Sequence, residues 1–308
     1  QNLPRGGTLR HSIKAPEGYK LVVADFSAIE ARMLAWLAGQ WDAVEVFREG
    51  KDIYCEFASR VFGRTITKSD KYARMLGKCA ILGLGYGMGA KAFSTLLASG
   101  PFGNPPVLLD MEIAEAIGAN VNAPVDTEGI TTKLEGQALQ VHVATAKHLV
   151  DMYRNVYNQI PKYWRTCEGI LRSIHSGAVR QYGCVSTSQD RLHLPNGLSL
   201  HYQQLRKDDE DNWVYTGKRG QKTYIYSAKM TENITQAVSR IVMTEAMNKL
   251  PYKIALTVHD ELICCVPEAQ AQQCLDDMIA VMSVSPSWAP ELPLAAEGSI
   301  ANTYGEAK

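Results

Sequence analysis

The stretch LTVHDELICCV, residues 256–266, places three polar side chains between two runs of apolar and β-branched residues. Runs of this kind predict buried β-strands. Burying a carboxylate is costly unless a positive group compensates for the lost hydration. The polar residues His259, Asp260 and Glu261 therefore indicate a compensating partner. A bound divalent cation would neutralise two adjacent acids and so allow them in a core strand.

The composition indicates a globular protein without a membrane span. The chain has 308 residues, 46% hydrophobic and 21% charged, which is ordinary for a soluble domain. No apolar run reaches the roughly 18 residues that a span needs, and no signal-peptide core begins the chain, so we expect a cytoplasmic location. The 32 basic and 32 acidic residues cancel, which counts mildly against nucleic-acid binding. The seven cysteines contain no CxxC pair and predict reduced thiols, not a zinc site.

Strand patterns lie at both ends of the chain and helical patterns in the middle. The segment YKLVVADFSAIEARMLAWLAG, residues 19–39, predicts a strand and then a helix that stops at Gly39. Further helices are predicted over 52–63, 68–87, 133–158, 227–249 and 269–282, β-rich structure over 177–226, and a loop or insertion over 100–124. The motif IPKYW is expected to break the helix over 133–158. This order suggests one sheet built from distant segments, with a helical subdomain inserted.

A third acid, Asp25, ends the first predicted strand, where a site can open to solvent. Aspartates on adjacent strands that hold Mg²⁺ together with substrate phosphates form the two-metal arrangement for phosphoryl transfer. Since neighbouring strand residues face opposite ways, Asp260 and Glu261 should not both point at Asp25. We expect Asp260 to be the ligand and Glu261 an accessory. The alternative is that Asp25 caps a helix and Asp260 lies in a hairpin turn.

The helix KSDKYARMLGKCAILGLGYG, residues 68–87, carries a stripe with a spacing of four: Arg74, Lys78, Leu82 and Tyr86. Successive members lie about 6 Å apart along the axis. Two cations, an aliphatic chain and then a ring suit a nucleoside triphosphate, with its phosphates at one end and its base at the other. The alternative is an ordinary surface helix with a basic face.

These segments together resemble the polymerase module of family A DNA polymerases, the bacterial DNA polymerase I type, in a phage-like version. VADFSAIEARMLAWLAG resembles the family's motif A, D-Y-S-x-I-E-x-R, and RMLGKCAILGLGYG resembles its motif B, R-x-x-x-K-x-x-x-F-G-x-x-Y-G. VHDEL matches motif C, MTENITQAV resembles the helix that bears a primer–template glutamine, and QNLPRG resembles the segment before motif A. The motifs run in the family's order over essentially the whole chain.

The resemblance implies an α+β fold with a polymerase palm, an antiparallel sheet with helices, and an inserted helical fingers subdomain. The implied palm comprises residues 1–50 and 177–308, and the fingers comprise residues 51–176, with a loop insertion near 100–124. No segment resembles the family's thumb or exonuclease. We therefore expect a protein partner, or a missing N-terminal region, that supplies the thumb.

The resemblance also implies the role of each site residue. Asp25 and Asp260, assisted by the Phe26 carbonyl, would hold two Mg²⁺ ions, for which Mn²⁺ is a substitute. Glu261 would be the accessory carboxylate, and Lys78 would protonate the leaving pyrophosphate. The nucleotide would be contacted by Arg74, Lys78, Leu82, Tyr86, Tyr54 and the steric gate Glu30. The DNA would be contacted or supported by His259, Gln236 and Arg32. Leu82 departs from the family's usual aromatic residue, which affects sugar discrimination.

The implied function is DNA-templated DNA synthesis, in which nucleotides are transferred from dNTPs to a primer 3′-OH during DNA replication. The resemblance also implies a phage-encoded protein that acts in a bacterial host. One alternative is a single-subunit RNA polymerase of phage type. Glu30 and Glu261 argue against it, because that family typically lacks both acids. Another alternative is a non-catalytic subunit with a polymerase-like fold. The presence of all four main site residues argues against it: Asp25, Asp260, Arg74 and Lys78.

Overall fold

The computed structural model describes residue 3 and residues 8–130 and 132–307. The segment QNLPRG therefore lies, apart from Leu3, outside the described residues. The α-helices of the described part are α1 Thr8–Ser12, α2 Ile29–Ala38, α3 Trp41–Arg48, α4 Ile53–Phe62, α5 Lys71–Leu84, α6 Ala90–Ala98, α7 Met111–Ala116, α8 Gly136–Val156, α9 Gln159–Ser176, α10 Ser227–Lys249 and α11 Ala271–Met282. None of these helices is long and apolar enough to cross a membrane.

The strands of the described part are β1 Tyr19–Phe26, β2 Gln181–Tyr182, β3 Val185–Ser188, β4 Arg191–His193, β5 Ser199–His201, β6 Arg206–Lys207, β7 Trp213–Thr216, β8 Lys222–Tyr224, β9 Ile254–Val258, β10 Glu261–Pro267 and β11 Ala296–Ala301. Single 3₁₀ turns lie at Pro101–Gly103, Lys218–Gly220 and Glu268–Gln270. The predicted α+β class is confirmed, with mixed helices and antiparallel sheets.

The chain forms two compact units. The first comprises residues 1–33, 193–198 and 235–308, and the second comprises residues 34–192 and 199–234. The palm and fingers boundaries expected at residues 50 and 176 stay predictions.

The first unit is organised by an antiparallel sheet of strand order β11-β1-β10-β9. β1 comes from the start of the chain and the other three strands of the sheet come from its end, as the pattern of distant strands predicted. Because β1 has a strand on each side and both faces covered, its residues Leu21–Ala24 are buried and read as a continuous apolar run. One face packs on Val258, Ile263 and Tyr304, and α11 also packs on β1 and β11.

The second unit contains helices α3–α9, a sheet of order β2-β3-β4-β5 and a sheet of order β6-β7-β8. Helices α4 and α5 approach closely at Gly77, where an added Cβ would lie 2.1 Å from the carbonyl oxygen of Tyr54. This contact fixes the orientation of α5, the helix that carries the predicted triphosphate residues.

The expected break at IPKYW is displaced in the structure. Helix α8 ends at Val156 and α9 begins at Gln159, so the break lies at residues 157–158 and IPKYW is helical. Pro161 is tolerated because it lies in the first turn of α9, where backbone N–H groups have no partner within the helix. The sequence pattern located a helix boundary correctly but placed it a few residues late.

We predict that Gly87→Ala destabilises the second unit more than an ordinary glycine substitution. Gly87 has φ +79°, and an added Cβ would lie 2.6 Å from the Cβ of Ala228 in the first turn of α10. Left-handed strain of about 1–2 kcal/mol and overpacking of about 1–3 kcal/mol should both act. The measurement is the free energy of unfolding in urea, followed by circular dichroism.

Gly63→Ala is the matched control for Gly87→Ala, because Gly63 also has a positive φ, +61°, but has open space at its Cβ position. It should lose only the strain contribution, about 1–2 kcal/mol. Equal losses in the two variants would show that Ala228 does not restrict this turn.

Candidate active site

The polar residues of the motif HDE lie at a hairpin. Val258 on β9 pairs with Glu261 on β10, which leaves His259 and Asp260 as a two-residue turn. His259 has φ +52°, the left-handed backbone that short hairpin turns require. The expectation that Asp260 lies in a core strand is therefore wrong, and the hairpin-turn alternative is the observed one for this residue.

The turn brings Asp260 and Glu261 to the same end of β1. Asp25 lies directly opposite Glu261 in the β1–β10 register, so their side chains leave the same face of the sheet. The Phe26 amide donates to the Asp260 carbonyl at 3.3 Å, and the Asp25 and Asp260 carboxylates lie close together. Because Asp260 lies in the turn, the alternation of strand side chains does not fix its direction relative to Glu261.

One further acid lies at this position. Glu297 on β11 is directly opposite Asp25 on the other side of β1, and its side chain is exposed. The sequence analysis did not single it out, because its segment carries no pattern that reveals which strand it pairs with.

The charges at the turn stabilise one another. Nδ1 of His259 lies 2.9 Å from Oδ1 of Asp260, and Nε2 lies 3.7 Å from Oε1 of Glu30. Burial opposes ionisation of Asp260, but the hydrogen bond and the charge of His259 prevail and lower its pKa. The pKa of His259 is raised by its hydrogen bond to Asp260 and by the surrounding carboxylates, against the effect of burial. The turn therefore favours an ionised Asp260.

Glu261 is enclosed by protein. Its side chain is buried, and Oε2 accepts a hydrogen bond from the Tyr304 hydroxyl. The guanidinium of Arg10 lies 4.8 Å from the centre of the Tyr304 ring, within cation–π range. Burial, followed by the bond to Glu261, raises the pKa of Tyr304, so this residue stays a donor. The sequence analysis missed Tyr304 and Arg10, which carry no local signal and meet Glu261 only in the fold.

The turn between β1 and α2 is held by Arg32. Arg32 is 6% exposed, and its guanidinium donates to the carbonyl of Ser27 at 2.6 Å and of Pro293 at 3.1 Å. Glu30 lies in the first turn of the same helix and is partly exposed. Arg32 thereby fixes the start of α2 through its hydrogen bonds to the two carbonyls.

Gln236, the residue expected to contact the DNA, is exposed on α10.

In the second unit, Arg74 on α5 is held by Asp52. Arg74 Nε lies 2.8 Å from Asp52 Oδ2, and the guanidinium lies 5.4 Å from the centre of the Tyr54 ring. Asp52 also caps α4, because its Oδ1 accepts from the amides of Tyr54 and Cys55. Burial would lower the pKa of Arg74, but the bond and charge of Asp52 raise it. The sequence analysis missed Asp52, although an aspartate before an apolar helical pattern is an N-cap signal.

The rest of the α5 stripe is only partly buried. Lys78, Leu82 and Tyr86 all have intermediate exposure. The Lys78 ammonium lies 4.9 Å from the centre of the Phe102 ring. The turn at Tyr86 is fixed by Trp164, whose indole nitrogen donates to the Gly85 carbonyl at 3.0 Å. Neither Phe102 nor Trp164 was identified from the sequence.

The carboxylates of the first unit suit one class of metal. Among the described residues, no group of three or more His, Cys, Asp or Glu side chains is arranged to enclose an ion. Mg²⁺ rarely needs such a group, since it is usually bound by one or two carboxylates together with waters and substrate phosphates. The neighbouring Asp25 and Asp260 carboxylates, with the Phe26 carbonyl at the same strand end, fit that oxygen-only donor set.

Comparisons with known proteins agree on one family. Residues 1–100 match the model of DNA polymerase family A. The chain is 28% identical over 309 aligned residues to the DNA polymerase of Bacillus phage SP02, covering 94% of this chain and 41% of the phage protein. It is 25% identical to the thermostable DNA polymerase I of Thermus filiformis, covering 99% of this chain and 29% of that protein.

A solved structure shows the same fold. The polymerase domain of Pol1 from M. smegmatis, in complex with DNA primer-template and dNTP, aligns with a TM-score of 0.55 and 18% identity, covering 97% of this chain and 42% of that one. The order of the motifs and the family match agree with this similarity in fold. The chain is therefore similar to DNA polymerases of family A in sequence, and to a polymerase domain in fold.

Proposed function

We propose that this chain carries out DNA-templated DNA synthesis, transferring nucleotides from dNTPs to a primer 3′-OH. The observation that carries the proposal is the contact of Asp25 with Asp260, from opposite ends of the sequence, at one end of a pair of buried strands. The matched relatives are DNA polymerases, and the chain spans 41% and 29% of their lengths. Their activity supports the assignment of the reaction to this chain.

The two carboxylates and the Phe26 carbonyl would hold two Mg²⁺ ions. When bound, such ions stabilise the attacking and leaving oxygens of an in-line displacement. Asp25 and Asp260 supply the negative charge that such ions need, and the lowered pKa of Asp260 keeps it ionised. Glu261 supports them from the interior, where Tyr304 holds it. His259, at the exposed tip of the turn, would contact the primer end.

The α5 stripe would bind the incoming nucleotide. The bond to Asp52 engages Nε of Arg74, and because a guanidinium has five N–H donors it can be oriented by Asp52 while its terminal nitrogens bind phosphate. Lys78 would bind the same triphosphate and give a proton to the departing pyrophosphate. Leu82 would pack near the sugar and Tyr86 near the templating base. Tyr54 would act through the Arg74 guanidinium that it contacts.

Glu30 and Gln236 complete the proposed roles. Glu30 follows β1 closely and contacts His259, so it lies next to the proposed metal ligands and can exclude a ribose 2′-OH. Gln236 is exposed on α10, as a residue that contacts the duplex minor groove must be. Arg32 would support Glu30 by fixing the start of α2.

We predict that Asp25→Asn and Asp260→Asn each reduce primer extension by about a hundred-fold or more, because each removes charge from a metal ligand. The measurement is Mg²⁺-dependent extension of a labelled primer, with unfolding followed in parallel. Asp276→Asn is the matched control, an exposed aspartate on α11 in the same unit. Extension by either active-site variant at the rate of the control would refute the metal assignment.

We predict that Glu30→Ala lowers the preference for dNTPs over rNTPs by about ten- to a hundred-fold, the range for the loss of a steric contact in a pocket. Extension with dNTPs should persist, because the change leaves the proposed metal and phosphate ligands in place. The measurement is kcat/KM for each nucleotide type. Glu45→Ala on α3 serves as the control, and an unchanged ratio in Glu30→Ala would exclude a gating role.

A further inference from the structure

The segment after α6 presents an aromatic ring to the basic face of α5. Phe102 lies in the turn Pro101–Gly103, and its ring centre is 4.9 Å from the Lys78 ammonium. That distance is within the range of a cation–π interaction. The ring is 45% exposed. It therefore contacts the ammonium on one side only and does not enclose it.

The turn has an unusual backbone. Phe102 has φ +57°, between Gly100 at +77° and Gly103 at +76°. A bulky residue in the left-handed region is uncommon. The Asn104 amide side chain donates to the carbonyls of Pro101 at 3.2 Å and Phe102 at 3.3 Å, which stabilises this conformation. The backbone conformation of the turn therefore directs the Phe102 ring toward Lys78.

The chain on either side of the turn is anchored to the helices. Helix α6 ends just before it, and the amide of Val107 returns to bond the Leu97 carbonyl of that helix at 2.8 Å. The Tyr72 hydroxyl of α5 donates to the Leu108 carbonyl at 2.6 Å, and the Leu109 amide donates to Nδ1 of the buried His142 on α8 at 3.0 Å. These contacts fix the position of Phe102 relative to Lys78.

We propose that Phe102 is a positioning residue for the polyphosphate subsite, acting through Lys78. The inference rests on the proposed function of Lys78. A lysine side chain has four rotatable bonds, and holding its ammonium in one place before binding reduces the conformational entropy lost when a ligand binds. An ammonium has three N–H donors, so a ring on one side leaves it able to bind phosphate oxygens. The neutral ring adds no charge that would compete with phosphate.

The test compares Phe102→Leu, Phe102→Tyr, Lys78→Ala and the double variant Phe102→Leu/Lys78→Ala with the wild type. The measured quantities are KM and kcat for dNTP in primer extension, and the Kd of inorganic tripolyphosphate with Mg²⁺ by calorimetry, without primer or template. Phe102→Leu should raise KM and Kd about two- to five-fold, the range for an exposed cation–π contact, while kcat changes less. Phe102→Tyr, which keeps the ring, should restore both values.

Two comparisons show whether Phe102 acts through Lys78. In the Lys78→Ala background, Phe102→Leu should have no further effect, because effects that share one contact do not add. Tyr224→Leu is the matched control: it removes a ring 4.9 Å from Lys222 elsewhere in the unit, and should leave KM and Kd unchanged.

Several results would overturn the proposal. Equal values for Phe102→Leu and wild type would show that the ring has no role, and lower values would show that it competes with phosphate. Additive losses in the double variant, or a Kd that is the same in Lys78→Ala as in wild type, would show that Lys78 does not transmit the effect. The binding measurement separates this inference from the function: if no protein extends primers but binding follows the predicted pattern, the positioning role stands and the polymerase proposal fails.

Discussion

The pairing register of β1 with β10 is the constraint on which the candidate site depends. Asp25 lies opposite Glu261, and the turn then places Asp260 beside the end of β1. A slip of one residue would turn Asp25 to the other face of the sheet, away from Glu261. The same register packs Leu21 and Val23 against Ile263 and Tyr304.

The carboxylates at this position need compensation, and the fold supplies it from several segments. His259 bonds Asp260 within the turn, and Tyr304, with Arg10 against its ring, bonds the buried Glu261. A buried charge without such partners would strongly destabilise the folded sheet. A cation at the Asp25–Asp260 pair would complete the compensation, which links the stability of the sheet end to its proposed chemistry.

The basic side chains of helix α5 are also held by contacts with other segments of their own unit. Arg74 is held by Asp52, the residue that also caps α4, so one carboxylate couples the start of one helix to a cation of the next. Phe102 constrains Lys78 through an uncharged contact instead. The difference matters because a carboxylate near Lys78 would repel a phosphate, whereas a ring positions the ammonium at no electrostatic cost.

Much of the molecule could be predicted from its sequence, because the relevant signals are local. Apolar runs and helical spacing located β1, α10 and the strands β9 and β10, and the motif residues identified Asp25 and Arg74. The sequence by itself thus determined which segments are strands and helices and which residues carry the charges. Only the tertiary structure decided that Asp260 lies in a turn, that Tyr304 and Asp52 hold the charged groups, and that Phe102 covers Lys78. These contacts join residues distant in sequence, and their partners are selected by strand register and helix packing, which leave no periodic pattern in the chain.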